Sequence, residues 1–416
     1  METAVICMET QTVFNEIEKL RKEMTQTLID LIRIPAIGPE SDGEGEFAKA
    51  ERLVQICKAI GFDKVQNFDV PDERVPSKKR PNIVAFLNGE TDKERLWIVT
   101  HMDIVPPGDD SLWTVAKPFN PIVKDGKVYG RGSEDNTQPM VSSIFALKAL
   151  KNLGRKPKRT VALCFVADEE SGSNYGIQHL IKQGFFRKDD LVIVPDGGNS
   201  DGSFIEIAEK SSIWLKINTI GKQTHASRPG DGLNAHRVGM EFALALDKML
   251  HQKYAYQDAL FDPPVSTFEP TKKERNVDAI NIVPGEDTTY LDGRILPHYN
   301  VGELLRNVTA LASDFGKKKG AKIGIEVVNK NIAPKPTDER AKIVLMLKEA
   351  IKKTGGKDAK VGGIGGGTCA AYFRRAGIPA VVWATMDEMA HQPNEYAKIN
   401  NMVNDAKVFA YLAGQS

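Results

Sequence analysis

The 416 residues are short of anything extreme, and the absences narrow the field first. Four cysteines, Cys7, Cys57, Cys164 and Cys369, stand far apart in apolar or glycine-rich settings, with no CxxC pair among them. That spacing argues against a thiolate metal cage and a disulfide framework, so reduced thiols are expected. Neither sign of charge prevails: 56 basic residues against 55 acidic ones leave a formal net charge of +1. So balanced a chain has no general attraction to nucleic acid or to an anionic membrane, and neither is expected as a partner. No uncharged apolar run is long enough to span a bilayer. The opening METAVICMETQTVFNEIEK lacks a basic leader followed by a long apolar stretch, so no secretion signal is expected and the cytoplasm is the default compartment. Internal repeats and low-complexity segments are missing as well. What remains is an ordinary globular composition, long enough for two or three domains and at least one large core.

Periodicity supplies the architecture. Val13, Ile17, Leu20, Met24, Leu28 and Leu31 recur at helical spacing until Pro35 stops them, and a second helix is expected over roughly Gly45 to Ile60. The runs NIVAFL, LWIVTH, VALCFVA and LVIVPD have strand length and are apolar throughout, with helical stretches such as Val141 to Leu153 between several of them. This is α/β patterning around a mixed, largely parallel sheet buried on both faces and flanked by helices. The pattern changes near residue 212, where SSIWLKINTI alternates in the manner of a half-buried strand. Strand, helix, two strands, helix and the closing strand KIGIEVV then succeed one another, which is the split ferredoxin-like order. APKPTDE, at 333 to 339, reads as the return linker, and the remainder is α/β again, with PAVVWAT as its last strand. The expected organisation is a discontinuous large domain, residues 1–212 and 333–416, with a small α+β domain inserted at 213–332.

Chemistry gathers where the strands end. VTHMD, FVADEE and VPDGG bring His101, Asp168 to Glu170 and Asp196 to strand termini, and open parallel sheets place their sites outside the carboxyl ends of strands. GRGSEDN adds Asp135 just before a helix, and DEMAHQPNE adds His391 after the last strand. Two imidazoles and at least three carboxylates, with no thiolate, suit zinc, manganese or cobalt. Five such donors exceed what one open catalytic zinc uses and suit two metals sharing a carboxylate. Asp103, two residues beyond His101 on an extended strand end, is placed to take the second N–H of that imidazole. Glu169 and Glu170 are adjacent and should point apart, so one can bind metal while the other faces the open site as a general base.

Each feature has a plainer reading taken singly. A histidine at a strand end is more often a hydrogen-bonded residue than a ligand, and a DEE run is more often a solvated loop. Asp292 and Arg294 can form a same-face strand ion pair and nothing more. GGIGGGTCAA lacks both the GxGxxG spacing and the lysine of a phosphate-binding loop. The coincidence of four acidic or histidine motifs at one sheet edge is what outweighs the separate explanations.

Taken in order, THMDIVP, PFNPIVKDGKVYGRGSEDN, DEESG, PDGG, KQTHASRPGDGLNA, NIVP, DGRILP and HQPNE resemble the co-catalytic zinc deacylases and exopeptidases. That family, metallopeptidase family twenty, includes aminoacylase, carboxypeptidase G, acetylornithine deacetylase, succinyl-diaminopimelate desuccinylase and the carnosinase-like dipeptidases. The resemblance runs from about residue 28 to the C-terminus. It implies a zinc-exopeptidase-like catalytic domain and a small domain serving as lid and dimerisation surface. By motif, it implies that His101 and Asp196 hold one divalent ion, that Glu170 and His391 hold a second, and that Asp135 bridges them. The ions would be zinc, with cobalt or manganese as alternatives. Glu169 would be the general base, Asp103 would orient His101, and the peptide after Asp135 would be cis. His225 would polarise the scissile carbonyl, from its own subunit or a partner's. Asn281 and Arg294 would contact substrate, and the loop of Gly365, Gly366, Gly367 and Thr368 would cradle its carboxylate through backbone N–H groups. The chain departs from many relatives in having DNTQP where Lys-Gly comes after the bridging Asp, and Thr368-Cys369 where some have Ser-Asp. Both departures bear on the substrate pocket. Asp196 is Glu in several relatives, a change that keeps an oxygen ligand.

The expected function is therefore dinuclear-metal hydrolysis of an amide bond in a small N-acyl amino acid or dipeptide with a free carboxylate. A deacylase such as a desuccinylase or deacetylase stands first, working as a homodimer through the small domain. An exopeptidase, either dipeptidase or aminopeptidase, is the alternative. A catalytically silent binding protein would have lost a ligand or the base, and none is lost. A nucleotide-dependent ligase would rest on the glycine-rich loop alone.

Overall fold

Leu96 to His101 are buried without a break, as a strand covered on both faces must be. In the computed structural model, which describes residues 2–415 with side chains from Thr10 onward, they end the strand Thr91–His101 at the centre of an eight-stranded sheet. The strand order is Lys64–Asn67, Ile83–Leu87, Arg159–Val166, Thr91–His101, Leu191–Asn199, Ala380–Thr385, Phe204–Glu209 and Lys360–Ile364. The four strands from Arg159–Val166 to Ala380–Thr385 run parallel, and antiparallel pairings flank them. The sheet is thus mixed with a parallel centre, and each of the strand-end motifs lies on a parallel strand or just after one.

The chain divides into two compact units, Met1–Ile207 with Pro336–Val361 and Thr368–Ser416, and Ala208–Lys335 with Gly362–Gly367. In the first, the helix expected from Val13 to Leu31 spans Glu2–Ile32, and that expected from Gly45 spans Phe47–Ile60. Helix Gln138–Asn152 is buried along nearly its whole length, with Pro139 in its first turn, where a missing N–H costs nothing. One core cluster joins Val99, Cys164, Val166, Val192, Val194, Phe373 and Val382. Trp97 is enclosed there by Phe86, Phe185 and Phe186 in edge-to-face contacts, and its indole N–H donates to Asp190 at 2.7 Å. Cys57, Cys164 and Cys369 are free and buried, whereas Cys7 falls outside the described side chains.

The second unit holds a four-stranded antiparallel sheet in the order Thr267–Lys273, Glu286–Ile295, Ser211–Ile220, Lys322–Asn331. Helices Ala235–Lys253 and Val301–Lys319 bury Phe242, Leu246, Leu304 and Val308 against Ile213, Leu215 and Ile217. Each helix starts on an asparagine, Asn234 or Asn300, whose side-chain oxygen accepts a first-turn N–H.

Candidate metal centre

Parallel pairing sets His101 level with Val166, so the loops after both strands leave the sheet at the same edge. Asp196 lies within the neighbouring strand Leu191–Asn199, and His391 lies in the loop after Ala380–Thr385. Asp135 precedes helix Gln138–Asn152, and the Asp135–Asn136 peptide is cis.

The ligating atoms of these residues form two groups, His101 with Asp135 and Asp196, and Asp135 with Glu170 and His391, each group within 4.8 Å. Asp135 belongs to both, and its two oxygens are divided between them. Oδ1 lies 2.9 Å from His101 Nε2, and Oδ2 lies 3.2 Å from His391 Nε2. Asp196 Oδ1 stands 3.3 Å from His101 Nε2, and Glu170 Oε2 stands 3.1 Å from His391 Nε2. Glu169 belongs to neither group. The two groups differ in exposure: the His101 side chain is 2% exposed and that of His391 55%.

Asp103 does not do what strand alternation predicts. The strand ends at His101, and the imidazole Nδ1 is 2.9 Å from the backbone carbonyl of Asp103, with that residue's carboxylate at 3.6 Å. A carbonyl can only accept, so Nδ1 carries the proton and Nε2 is left as the ligating nitrogen. The Asp103 carboxylate turns instead to the DEE segment and accepts the N–H groups of Glu169 and Glu170, both at 3.0 Å. That segment is also not strand: Asp168 has φ of 64°, and the chain turns there. The separation of Glu169 from Glu170 therefore comes from a turn held by Asp103, not from pleating.

Below the turn lies a buried ionic network. Glu46 Oε1 accepts the N–H of Asp168 at 3.2 Å, and both Glu46 oxygens pair with the Arg80 guanidinium. Lys49, fully buried, donates to the carbonyl of Met102 at 3.0 Å. Burial pushes the Lys49 ammonium down to about 8 against the pull of Asp103 and Glu46. None of Glu46, Lys49 or Arg80 carries a local sequence signal, because their partners, Arg80 and Asp168 for Glu46 and Met102 for Lys49, are reached only through folding.

The charges show what the cluster wants. Burial disfavours a protonated His101, but the carboxylates of Asp196, Asp103 and Asp135 outweigh it and hold its pKa well above the usual value. Hydrogen bonds that the His391 ring donates to the carboxylates of Asp135 and Glu170 raise its pKa to about 10. Burial and the Asp196 carboxylate push Glu169 well above the ordinary range, and burial raises Asp196 and Glu170 also. Carboxylates crowded in this way around two imidazoles call for positive charge, by protons or by cations. Imidazole and carboxylate donors in two groups with one shared carboxylate fit a pair of divalent ions.

In the second unit, Thr224–His225 pairs with Ile282–Val283, and the Ala226 N–H donates to the carbonyl of Asn281 at 2.9 Å, which sets His225 and Asn281 side by side. His225 is exposed, and its Nδ1 accepts the backbone N–H of Ser227 at 3.1 Å. A ring nitrogen that accepts from an amide carries no proton, which leaves Nε2–H as the ring's donor. Arg294 has closed its Nε–Nη2 edge on Asp292, at 2.8 and 3.1 Å, and donates from Nη1 to the carbonyl of Gly365 at 3.1 Å. Gly366 and Gly367 are exposed, whereas Thr368 is buried and its Oγ1 accepts the N–H of Ala370.

Acidic and imidazole donors gathered at the carboxyl edge of a mixed sheet with a parallel centre fit a metal-dependent hydrolase. The model of Peptidase family M20/M25/M40 matches residues 97–415, and the chain belongs to that family. It is a metal-dependent hydrolase of amide or peptide bonds. The chain is 41% identical over 396 residues to an uncharacterized metallohydrolase of Methanocaldococcus jannaschii, covering 91% of this chain and 96% of that one. It is 28% identical to a succinyl-diaminopimelate desuccinylase of Nitratiruptor, over 88% of this chain and 92% of the relative. Its fold is shared with an aminopeptidase of Bacillus cereus, with a TM-score of 0.74, 19% identity, and coverage of 94% and 97%.

Two buried glutamates carry no signal in the sequence. Glu134 and Glu395 stand inside the motifs SEDN and HQPNE, yet spacing gives no hint that each reaches into the other's loop. Burial, their largest influence, raises both carboxyls to about 7.

Proposed function

We propose that the chain is a two-metal amidohydrolase that removes the acyl group from a small N-acyl amino acid carrying a free carboxylate. The observation that carries this is the division of Asp135, one oxygen toward each histidine. His101, Asp135 and Asp196 would hold one ion, and Asp135, Glu170 and His391 the other; zinc fits, as do cobalt and manganese. Ions so held supply a lowered pKa for water and a polarised carbonyl. Glu169, outside both ligand groups on a turn fixed by Asp103, takes the proton from the attacking water and returns it to the leaving amine. His225 donates from Nε2–H to the carbonyl oxygen as charge develops there. Asn281, the remaining edge of Arg294 and the exposed N–H groups of Gly366 and Gly367 beside Thr368 take the substrate carboxylate. A homodimer through the small domain is part of the proposal: Lys322–Asn331 is an edge strand with Val327 and Val328 at 42% and 50% exposure. The free, buried Cys57, Cys164 and Cys369 support a reducing compartment such as the cytoplasm.

The test is a substrate panel on metal-reconstituted protein. Succinyl- and acetyl-amino acids should be cleaved with a kcat/KM at least tenfold above that for any unblocked dipeptide, a difference of about 1.4 kcal/mol in transition-state binding. Dipeptides as the better substrates would move the chain to the exopeptidase alternative.

Metal uptake should depend steeply on pH. In the metal-free protein His101 and His391 hold protons, with His391 titrating near 10. The raised His391 pKa stabilises the metal-free fold below its unfolded value, about 6.5. That contribution is lost as pH rises through 10. Metal must displace these protons, so its affinity rises with pH, by about tenfold per unit for each proton released. Calorimetric titrations between pH 6 and 8, in buffers of different ionisation enthalpy, read both slope and proton count. Uptake without proton release would contradict the protonated state of the two histidines.

A further inference from the structure

Two carboxylates that belong to neither donor group tie together the loops that deliver Asp135 and His391. Glu395, 0% exposed, accepts the backbone N–H groups of Gly132 at 2.9 Å, Glu134 at 2.9 Å and Asp135 at 3.2 Å, and the Arg131 guanidinium at 2.7 Å. Glu134, 1% exposed, reaches the other way and accepts the N–H groups of Asp387 at 2.6 Å and Met389 at 2.5 Å. Each glutamate stands on one loop and grips the backbone of the other. His391 lies two residues after Met389, and it adopts φ of 64°, so its aim depends on where that backbone runs. Both oxygens of each carboxylate face donors. An amide in the same place would set an N–H against an N–H in a dry site, which removes the grip and leaves a buried donor unpaired.

Resting on the two-metal assignment above, we propose that Glu134 and Glu395 are positioning residues with different reach. Glu134 holds only the loop of His391 and so governs the Asp135–Glu170–His391 position alone. Glu395 holds the loop of Asp135, which serves both positions, and so governs both. Outer carboxylates of this kind typically alter metal affinity by about 10–100-fold.

The experiment is a cobalt(II) titration of the full chain stripped of metal, followed by calorimetry and by visible absorption. Wild type should show two binding events. Glu134→Gln should leave one event within about twofold of wild type and weaken the other by about 10–100-fold, and Glu395→Gln should weaken both. Should Glu134→Gln fail to fold, Glu134→Asp takes its place. It keeps two acceptor oxygens but is one methylene short of both N–H groups, and the same selectivity is expected. Given two wild-type events, a Glu134 variant that weakens neither or both alike would overturn the role of Glu134, and a Glu395→Gln protein that weakens only one or neither would overturn that of Glu395, each leaving the two-metal assignment standing. A single wild-type event would overturn the assignment itself and the selective role with it.

Discussion

Replacing Glu169 with Gln should lower kcat by roughly 10²–10⁴-fold while both metal equivalents stay bound. The physical reason is the division of labour at the DEE turn. Glu170 joins the His391 group and Glu169 joins neither, although both N–H groups are held by the same Asp103 carboxylate. Gln matches Glu in shape, so the turn and the ligands stay in place, but the amide cannot take a proton from water at neutral pH. Metal analysis beside steady-state kinetics separates the two effects. A variant with full metal content and turnover within tenfold of wild type would remove Glu169 from the role of base. Lost metal with lost turnover would make it a ligand.

Asp135→Ala should have the broader consequence. Its oxygens face His101 and His391 at 2.9 and 3.2 Å, so deleting it strips a donor from both groups at once. Metal content is expected to fall at both positions and turnover to reach the background of chelated enzyme. Glu170→Ala removes a donor from one group only and should empty the position beside His391, the more exposed side, while the buried one beside His101 stays filled. Elemental analysis after equilibrium dialysis reads the difference. Two equivalents retained by Asp135→Ala would deny it a bridging place.

Much of the fold was legible because burial on both faces forces continuous apolar runs. LWIVTH and VALCFVA could be little other than central strands, and the alternation of SSIWLKINTI marked a sheet with one open face. That His101 and Asp196 come to one edge was legible as well, since parallel strands send their termini there, whereas Asp135, just before a helix, and His391, in the loop after Ala380–Thr385, are brought beside them by the folded chain. The details of Asp103 and the DEE turn were not legible. Alternation along a strand predicts side-chain directions only while the strand lasts, and here it stops at His101 and at Val166. Beyond those residues the direction of each carboxylate depends on which N–H groups lie within reach.

The sequence by itself determined the layered α/β plan and the chemical kinds of donor at the sheet's edge, because periodicity and residue type are local properties. Only the tertiary structure decided which oxygen of Asp135 faces which histidine. It alone placed the carbonyl of Asp103 on His101, and it alone crossed Glu134 and Glu395 between two loops some 250 residues apart. Those contacts join groups that no local pattern links, and each buried carboxylate settles wherever the folded backbone offers it donors.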